Sequence, residues 1–286
     1  MKKRKGIILA GGSGTRLYPS TISISKQIIP IYDKPMVYYS LSTLMEAGIN
    51  DILIISSPDD IDSYKKLLKD GKRFGIKLDY AVQHKPDGLA QAFVIGEEFL
   101  DGHPSCLILG DNIFYGAGLS KILRKASEDK VNSSIFSYQV ADPERFGVVE
   151  FDSNDNILSI QEKPKNPPSN FAVTGLYFYD ENASRYSKEL QPSARGELEI
   201  SDLNNVYLEK NKLKLFKLSK GFAWLDTGTP ESLLDASNFV ATIEKRQGSK
   251  ICCPEEIALI NKWISKESLL ESTRDQNPYN NYLRNL

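Results

Sequence analysis

The chain has 286 residues, of which 41% are hydrophobic and 26% charged, and 36 basic against 37 acidic side chains give a formal net charge of −1. This composition is typical of a globular protein with a large core. Because there is no basic surplus, we expect no nucleic-acid partner, and any polyanion site must depend on local placement of Lys and Arg.

The start of the chain and its cysteines bear on compartment. The basic run Met1–Lys5 precedes only five apolar or small residues, Gly6–Ala10. A signal-peptide core needs roughly 7–15 apolar residues and a membrane span about 20, so we expect no membrane partner. The cysteines are odd in number, two of them adjacent (Cys252 and Cys253), and they show no C-x-x-C spacing. This pattern indicates reduced thiols in a cytoplasmic protein. With only two histidines, zinc and Ser-His-Asp chemistry have little support.

The first half of the chain alternates short apolar runs with amphipathic stretches. The apolar runs predict strands over residues 6–10, 52–56, 78–82, 106–109 and 134–138. The amphipathic stretches predict helices over residues 36–47, 60–68, 89–100 and 119–128. Alternation of this kind is typical of βαβ units and a mainly parallel sheet.

The second half has a different pattern. Residues 147–151 and 157–161 flank a turn-rich segment, which predicts a hairpin, and residues 172–179 predict a further strand. Helical periodicity returns over residues 231–246, 255–263 and 266–274. We therefore predict an α/β fold, Rossmann-like, with a mixed, mainly parallel sheet flanked by helices and with a helical C-terminal annex.

The sharpest chemical signal is the loop L-A-G-G-S-G-T-R-L (9–17), directly after the first strand. Glycines at a strand end let backbone N–H groups approach a phosphate closely. The spacing matches neither the Walker nor the Rossmann fingerprint. Arg16 lies in the loop and Lys26 follows ten residues later; two such cations suit a triphosphate. The alternative for the loop alone is a structural turn followed by surface charges.

Four later motifs complete the pattern: Q-H-K-P-D-G-L-A-Q-A (83–92), L-I-L-G-D-N (107–112), E-K-P (162–164) and W-L-D-T-G-T (224–229). With them the chain resembles the sugar-nucleotide pyrophosphorylases, and within these the glucose-1-phosphate thymidylyltransferase family. The resemblance runs from Lys5 to about Ile264. It includes D-P-E-R (142–145), Y-F-Y-D (177–180) and P-S-A-R-G-E-L-E-I (192–200). The order and spacing of these motifs together make the resemblance specific.

The resemblance implies an Mg²⁺-dependent reaction of dTTP with glucose 1-phosphate. Its products would be dTDP-glucose, for dTDP-rhamnose and cell-surface polysaccharide, and pyrophosphate. The sugar phosphate would attack the α-phosphorus in line. Because a phosphate is already anionic, the reaction needs no general base, and catalysis should consist of positioning and charge neutralisation. The resemblance also implies a homotetramer.

Roles follow for the matched positions. The implied catalytic cations are Arg16, Lys26, Lys163 and Arg195. The implied nucleotide site consists of Leu9, Gly11, Gly12, Ser13, Gly14, Thr15, Arg16, Lys26, Gln27, Gln83, Pro86 and Gly88. The implied sugar site consists of Asn112, Gly147, Glu162, Lys163, Val173, Thr174 and Tyr177. The implied metal ligands are Asp111 and Asp226, which suits a hard cation held by carboxylates, phosphate oxygens and water.

In these terms we expect a nucleotidyltransferase core over residues 1–246. Its nucleotide-binding half would cover about 1–110 and its sugar-binding half about 111–228. The annex, residues 247–286, would belong to the same domain. One departure concerns Phe146, which stands where the family commonly has tyrosine.

Three other functions remain compatible with the sequence. The chain could be a uridylyl- or other nucleotidyltransferase for a sugar 1-phosphate, because base choice depends on pocket shape. It could be a non-catalytic regulatory subunit that binds sugar nucleotides, although every charged residue that the chemistry needs is present. A glycosyltransferase shares the nucleotide-binding architecture, but such an enzyme has no reason to keep the G-G-S-G-T-R loop together with Lys26.

Overall fold

The computed structural model describes residues 2–12, 14–154 and 156–286. The strands are β1 (Lys5–Leu9), β2 (Pro30–Ile31), β3 (Lys34–Pro35), β4 (Asp51–Ser56), β5 (Lys77–Val82), β6 (Ser105–Leu109), β7 (Asn112–Gly116), β8 (Ser133–Gln139), β9 (Gly147–Phe151), β10 (Ile157–Glu162), β11 (Phe171–Tyr179), β12 (Leu213–Leu218) and β13 (Phe222–Asp226). The helices are α1 (Val37–Glu46), α2 (Ile61–Leu68), α3 (Gln91–Ile95), α4 (Glu97–Leu100), α5 (Leu119–Glu128), α6 (Ala183–Glu189), α7 (Ile200–Glu209), α8 (Pro230–Gln247), α9 (Pro254–Ile260), α10 (Lys266–Ser272) and α11 (Pro278–Arg284).

The central sheet is mixed. Strands β6, β1, β4 and β5 lie side by side and run parallel to one another. Strand β11 runs antiparallel to β6 and to β8, the β9–β10 hairpin extends the sheet beyond β11, and β12 pairs in parallel with β8. Because β1, β4, β5 and β6 are parallel, their carboxyl ends meet at one edge, where open α/β sheets bind their ligands.

The two faces of the sheet are covered by separate hydrophobic layers, which follow from the two-residue period of strands. Ile8, Ile54 and Ile108 pack on one face, with α1 and α5. Ile7 and Leu53 pack on the other face, with α3, α6 and α7. Burial on both faces explains why these strands are continuous apolar runs in the sequence. The predicted α/β fold with a mixed, mainly parallel sheet between helices is confirmed.

The predicted helix over residues 89–100 is interrupted. It divides at Gly96 into α3 and α4. A Cβ at Gly96 would lie 3.1 Å from Ile7 Cδ1, a tight contact that only a small shift of the isoleucine could relieve, so the chain passes close to β1 at this point. The annex contains the two helices that the periodicity predicts and also α11, whose start is marked by Asn277 as N-cap and Pro278 in the first turn.

A small antiparallel pair, β7 and β13, was not predicted. It aligns Asn112 with Asp226 and Phe114 with Trp224. Since β7 begins three residues after the end of β6, this pairing carries Asp226 to the carboxyl edge of the central sheet. The pair therefore joins two parts of the chain that lie more than a hundred residues apart in the sequence.

Within the residues that the structure describes, no helix is long and apolar enough to cross a membrane.

Candidate active site

A continuous cleft runs along the carboxyl edge of the parallel strands. It consists of three adjoining cavities: the loop cavity, about 550 Å³, beside the glycine loop; the middle cavity, about 220 Å³; and the carboxylate cavity, about 580 Å³. The loop and middle cavities share Gly11, Gly12 and Gln83 among their lining residues, and the middle and carboxylate cavities share Asp111. Most of the residues proposed from the sequence therefore line one cleft.

The glycine loop follows β1 and leads into a short 3₁₀ turn, Thr15–Leu17, which carries Arg16. Gly14 caps this turn with φ +59°, and a Cβ there would lie 2.8 Å from Thr21 Cγ2. Thr21 Oγ1 donates a hydrogen bond of 2.9 Å to the Gly14 carbonyl, which holds the loop closed on itself. Gly14 and Thr15 thus shape the loop, and Arg16 lines the carboxylate cavity. The expected phosphate contact at Ser13 lies outside the described residues.

Gln27 is buried against the glycine loop, and its side-chain amide is almost fully bonded within the protein. Its Oε1 accepts hydrogen bonds from Ser25 Oγ at 2.9 Å and from the Tyr64 hydroxyl at 3.1 Å. Its Nε2 donates to the Gly11 carbonyl at 3.2 Å. Gln27 lines the middle cavity, where one N–H of its amide remains for a ligand.

Four other residues of the implied nucleotide site also line the middle cavity: Leu9, Gln83, Pro86 and Gly88. Gln83 follows β5, and its backbone N–H donates to the Ser56 carbonyl at 2.8 Å. Gly88 has φ +107°, and a Cβ there would lie 2.4 Å from the Leu198 carbonyl oxygen. Only glycine therefore fits where this segment crosses residue 198.

Two carboxylates, Asp111 and Asp226, lie at the end of β6 and the end of β13. Lys26 forms an ion pair with Asp111, and Asn112 Nδ2 donates to Asp111 Oδ1 at 2.9 Å. Burial acts to raise the pKa of Asp111, but the charge and hydrogen bonds of Lys26 and the bond from Asn112 outweigh it, so this pKa is below its ordinary value. Lys26 therefore keeps the carboxylate ionised.

The pKa of Asp226 moves the other way. Burial is the largest cause of its raised pKa and the charge of Asp111 adds to it, while Lys26, Arg16 and Arg145 offset only part. Asp226 therefore titrates in the field of the ionised Asp111, within a largely buried setting.

This donor set suits a divalent cation. Among the described residues, no group of three or more His, Cys, Asp and Glu side chains could hold a metal ion by itself. Two carboxylates with only oxygen donors match a hard cation that completes its shell with phosphate oxygens and water, as Mg²⁺ does. The residues present fit Mg²⁺ bound together with a phosphate ligand.

Asn112 holds Asp111 in place. Its Oδ1 accepts hydrogen bonds from the Trp224 indole at 2.6 Å and from the Gly175 backbone at 3.1 Å. Its Nδ2 donates to Asp111, so the side chain that the sequence assigns to sugar binding is largely occupied by protein partners. The β7–β13 pair and this amide together fix the position of the carboxylate.

Most of the residues expected at the sugar line the carboxylate cavity, together with the expected catalytic cation Arg195: Asn112, Gly147, Glu162, Lys163, Val173 and Tyr177. Glu162 Oε2 accepts from Ser201 Oγ at 2.5 Å. Lys163 Nζ and Arg195 Nη2 lie 3.7 and 3.6 Å from Glu162 Oε1. Arg195 also donates to both oxygens of Glu199 at 2.8 Å. Two cations and a carboxylate thus face the same space.

Thr174 is the sugar-site residue whose side chain the structure turns away from the cleft. It is fully buried, and on strand β11 it lies between Val173 and Gly175, which both line the carboxylate cavity. Because successive side chains on a strand point to opposite faces, its hydroxyl lies on the other side of the sheet.

Three site residues were not assigned from the sequence, although each lies within or beside a motif that was noted there. Arg145 Nη2 lies 3.6 Å from Asp226 Oδ2, and Glu199 and Ser201 orient Arg195 and Glu162. The charges of Arg145 and Glu199 and their places in D-P-E-R and P-S-A-R-G-E-L-E-I were the available signals, and Ser201 directly follows the second motif. The neighbouring Phe146 packs edge-on against Trp224, with ring centroids 5.1 Å apart.

Comparison with known proteins identifies the family. A model of the nucleotidyl transferase family matches residues 5–243. The chain belongs to this family. The glucose-1-phosphate thymidylyltransferase of Neisseria meningitidis serogroup A is 58% identical to this nucleotidyl transferase over 284 residues, which cover 99% of each chain. The resemblance to the sugar-nucleotide pyrophosphorylases, inferred from the motifs, is therefore confirmed.

Two solved structures of sugar-nucleotide pyrophosphorylases are also similar to this chain. A Bacillus anthracis protein named as a glucose-1-phosphate thymidylyltransferase, solved in complex with a sucrose, is 41% identical, with a TM-score of 0.76. The alignment covers 82% of this nucleotidyl transferase and 94% of that chain. A UDP-glucose pyrophosphorylase complexed with UDP-glucose is 25% identical, with a TM-score of 0.74, and the alignment covers 85% of this chain and 100% of that one.

Proposed function

We propose that this protein transfers dTMP from dTTP to glucose 1-phosphate, forming dTDP-glucose and pyrophosphate. The observation that carries the proposal is the order of groups along the cleft. Gly11, Gly12 and Lys26 line the loop cavity, Asp111 lies where the middle and carboxylate cavities meet, and Asp226, Lys163 and Arg195 line the carboxylate cavity. The relatives named as glucose-1-phosphate thymidylyltransferases supply the choice of substrates.

In the proposed reaction, cations of this chain neutralise two anions that would otherwise repel each other. Arg16 and Lys26 serve the triphosphate, and Lys163 and Arg195 serve the sugar phosphate. With both held in place, an oxygen of the sugar phosphate attacks the α-phosphorus, and pyrophosphate leaves from the opposite side. No side chain has to remove a proton, because the attacking phosphate is already ionised at neutral pH; positioning and electrostatic stabilisation account for the rate.

Asp111 and Asp226 are the proposed ligands of Mg²⁺, which when bound supplies positive charge to the phosphate oxygens. Asn112 and Lys26 hold Asp111 in its ionised form before any ligand enters. Arg145 lies beside Asp226 and limits the repulsion between the two carboxylates.

We also propose a cellular compartment and an oligomeric state for the enzyme. Cys106, Cys252 and Cys253 are all free thiols, which supports a reducing, cytoplasmic environment. We infer a homotetramer that supplies dTDP-glucose to dTDP-rhamnose and surface-polysaccharide synthesis. Light scattering coupled to size-exclusion chromatography tests the oligomeric state, and a mass near that of one chain would contradict it.

Pyrophosphate release tests the proposed function when it is measured over a grid of triphosphates and sugar 1-phosphates with Mg²⁺ present. We expect the highest kcat/KM for dTTP with α-D-glucose 1-phosphate. The matched control is Asp111→Asn, which should release no pyrophosphate with any pair. A protein that binds dTDP-glucose but releases no pyrophosphate anywhere on the grid would instead be a non-catalytic subunit.

The second candidate is a uridylyltransferase, which the structural similarity to a UDP-glucose pyrophosphorylase favours. UTP differs from dTTP by the absence of the C5 methyl group on the base and by the 2′-hydroxyl on the ribose. A methyl group in an apolar pocket is worth about 10–200-fold in discrimination and an added hydroxyl is rejected by about a hundredfold, so UTP should be the next best triphosphate. The grid separates the two candidates by the ratio of kcat/KM for dTTP and UTP.

A further inference from the structure

The orientation of the Gln83 amide decides what the middle cavity offers to a base. A glutamine side chain ends in an acceptor (Oε1) and a donor (Nε2), and the surrounding hydrogen bonds determine which of them faces a ligand. Gln83 is 6% exposed and lines the middle cavity. The residues behind it therefore set the pattern of donors and acceptors in the cleft.

A short chain of hydrogen bonds runs behind Gln83. Its Nε2 donates to Gln91 Oε1 at 2.6 Å, and Gln91 Nε2 donates to Asp87 Oδ2 at 3.1 Å. An ionised carboxylate has no hydrogen to give, so Asp87 only accepts. Gln91 must then turn its NH₂ group to Asp87 and its oxygen to Gln83, and Gln83 must turn its NH₂ group to Gln91.

The oxygen of Gln83 is thereby left on the side of the ligand. A Cβ at Gly11 would lie 2.9 Å from Gln83 Oε1, and both residues line the middle cavity. The absence of a side chain at Gly11 keeps this oxygen accessible. The cleft thus presents a hydrogen-bond acceptor at this point.

The backbone that carries the chain of bonds is held at both ends. The Leu198 N–H donates to the Asp87 carbonyl at 2.7 Å, and the Ala90 N–H donates to the Leu198 carbonyl at 3.1 Å. Gln91 begins α3 directly afterwards. The backbone therefore holds Asp87 and Gln91 close enough for the hydrogen bond between their side chains. The orientation of the Gln83 amide depends on this bond.

We propose that Asp87 and Gln91 are positioning residues that select the base through Gln83. With Oε1 toward the ligand, Gln83 accepts from a base that carries a hydrogen at N3, as thymine and uracil do. Cytosine presents a lone pair at N3 and a donor at N4, so it would place acceptor against acceptor and leave a buried group unpaired. This inference rests on the proposed function, because it takes the middle cavity to be the base site.

Gln91→Lys tests the inference by reversing the direction of the bonds. An ammonium group only donates, so it can bond Asp87 and Gln83 only if the Gln83 oxygen turns toward it. The Gln83 NH₂ group would then face the base and suit cytosine. We expect the ratio of kcat/KM for dTTP over dCTP to fall by at least about a hundredfold, since one mismatched buried contact is removed and another is created. The KM for glucose 1-phosphate should not change.

Two further variants, Gln91→Leu and Gln276→Lys, serve as comparisons for Gln91→Lys. The leucine variant frees Gln83 without reversing it, so its ratio should lie between those of the wild type and Gln91→Lys. Gln276 is exposed in the annex, and the same substitution there adds an equal charge and should leave the ratio unchanged. If a variant at residue 91 is inactive, calorimetric affinities for dTTP and dCTP give the same ratio.

Failure of this inference and failure of the proposed function give different results. A ratio in Gln91→Lys equal to that of the wild type, by turnover or by affinity, would overturn the role of Asp87 and Gln91 while leaving the proposed function intact. A wild-type protein that releases pyrophosphate with neither dTTP nor UTP would instead overturn the proposed function.

Discussion

Arg145 Nη2 lies 3.6 Å from Asp226 Oδ2, and yet the pKa of this carboxyl is raised. Burial is the largest cause and the charge of Asp111 is the second, and the surrounding cations offset only part of the two. At neutral pH the folded protein therefore holds a carboxylate that would be more easily ionised in the unfolded chain. Such a cost in stability is typical of a site built to receive a cation.

Asp226→Asn should therefore stabilise the metal-free protein. A carboxyl whose folded pKa lies above its unfolded pKa favours folding at low pH, and this contribution is lost as the pH rises through the folded pKa. The variant should melt at a higher temperature than the wild type at pH 7 in EDTA, by roughly 2–4 °C for each kcal/mol. The difference should shrink at pH 4.

Asp142→Asn is the matched control, because Asp142 is a partly exposed carboxylate bound to the same Arg145 at 2.6 Å. It should not raise the melting temperature. An Asp226→Asn protein that melts at or below the wild-type temperature in EDTA at pH 7 would show that the carboxylate pair is not strained.

Substitution of either proposed metal ligand should abolish turnover. We expect Asp111→Asn and Asp226→Asn each to lose metal-dependent activity, because each removes a charge from the proposed cation site. Circular dichroism should show an unchanged fold. Pyrophosphate release that kept its dependence on Mg²⁺ concentration in both variants would remove the metal-pair hypothesis.

Lys163→Ala separates the two ends of the cleft. A charge-assisted contact is worth about 1.5–3 kcal/mol, so the KM for glucose 1-phosphate should rise by about one to two decades. The value of kcat should also fall, because charge develops at the attacking oxygen. The KM for dTTP should change little, since Arg16 and Lys26 serve that end.

Lys165→Ala removes an exposed lysine two residues further along the chain and should leave both KM values unchanged. Equal losses for the two substrates in Lys163→Ala, or no loss at all, would show that this lysine does not hold the sugar phosphate.

The fold and the loop were accessible from the sequence because they depend on local patterns. Buried runs such as Gly6–Ala10 predict parallel strands, and the glycine loop can be recognised from its three glycines directly after such a run. The pairing of β7 with β13 could not be predicted, because Asn112 and Asp226 are distant in the sequence and each strand has only five residues. The sugar contact of Asn112, implied by the resemblance, stays a prediction; what the sequence could not indicate are the tertiary contacts of its amide with Asp111 and Trp224.

Gly88→Ala tests the crossing of the base-site segment over Leu198. A Cβ there would lie 2.4 Å from a backbone oxygen that cannot move freely. The variant should lose stability and show a raised KM for dTTP. Gly248→Ala serves as control, because φ is also positive there but no atom lies within 4 Å of the new Cβ. The free energy of unfolding of Gly248→Ala should fall by only about 1 kcal/mol, because the alanine is strained at positive φ. Equal losses in the two variants would show that the close approach at Leu198 has no effect.

The most direct test of the central claim is a competition followed by ³¹P NMR. Purified protein is mixed with Mg²⁺, α-D-glucose 1-phosphate and equal concentrations of dTTP and UTP. We predict that dTDP-glucose is the main sugar nucleotide in the initial phase, and that pyrophosphate appears in an amount equal to the sum of the sugar nucleotides. If UDP-glucose instead exceeded dTDP-glucose by more than about tenfold, a difference of 1.4 kcal/mol in transition-state binding, or if no pyrophosphate formed, the proposed function would be contradicted.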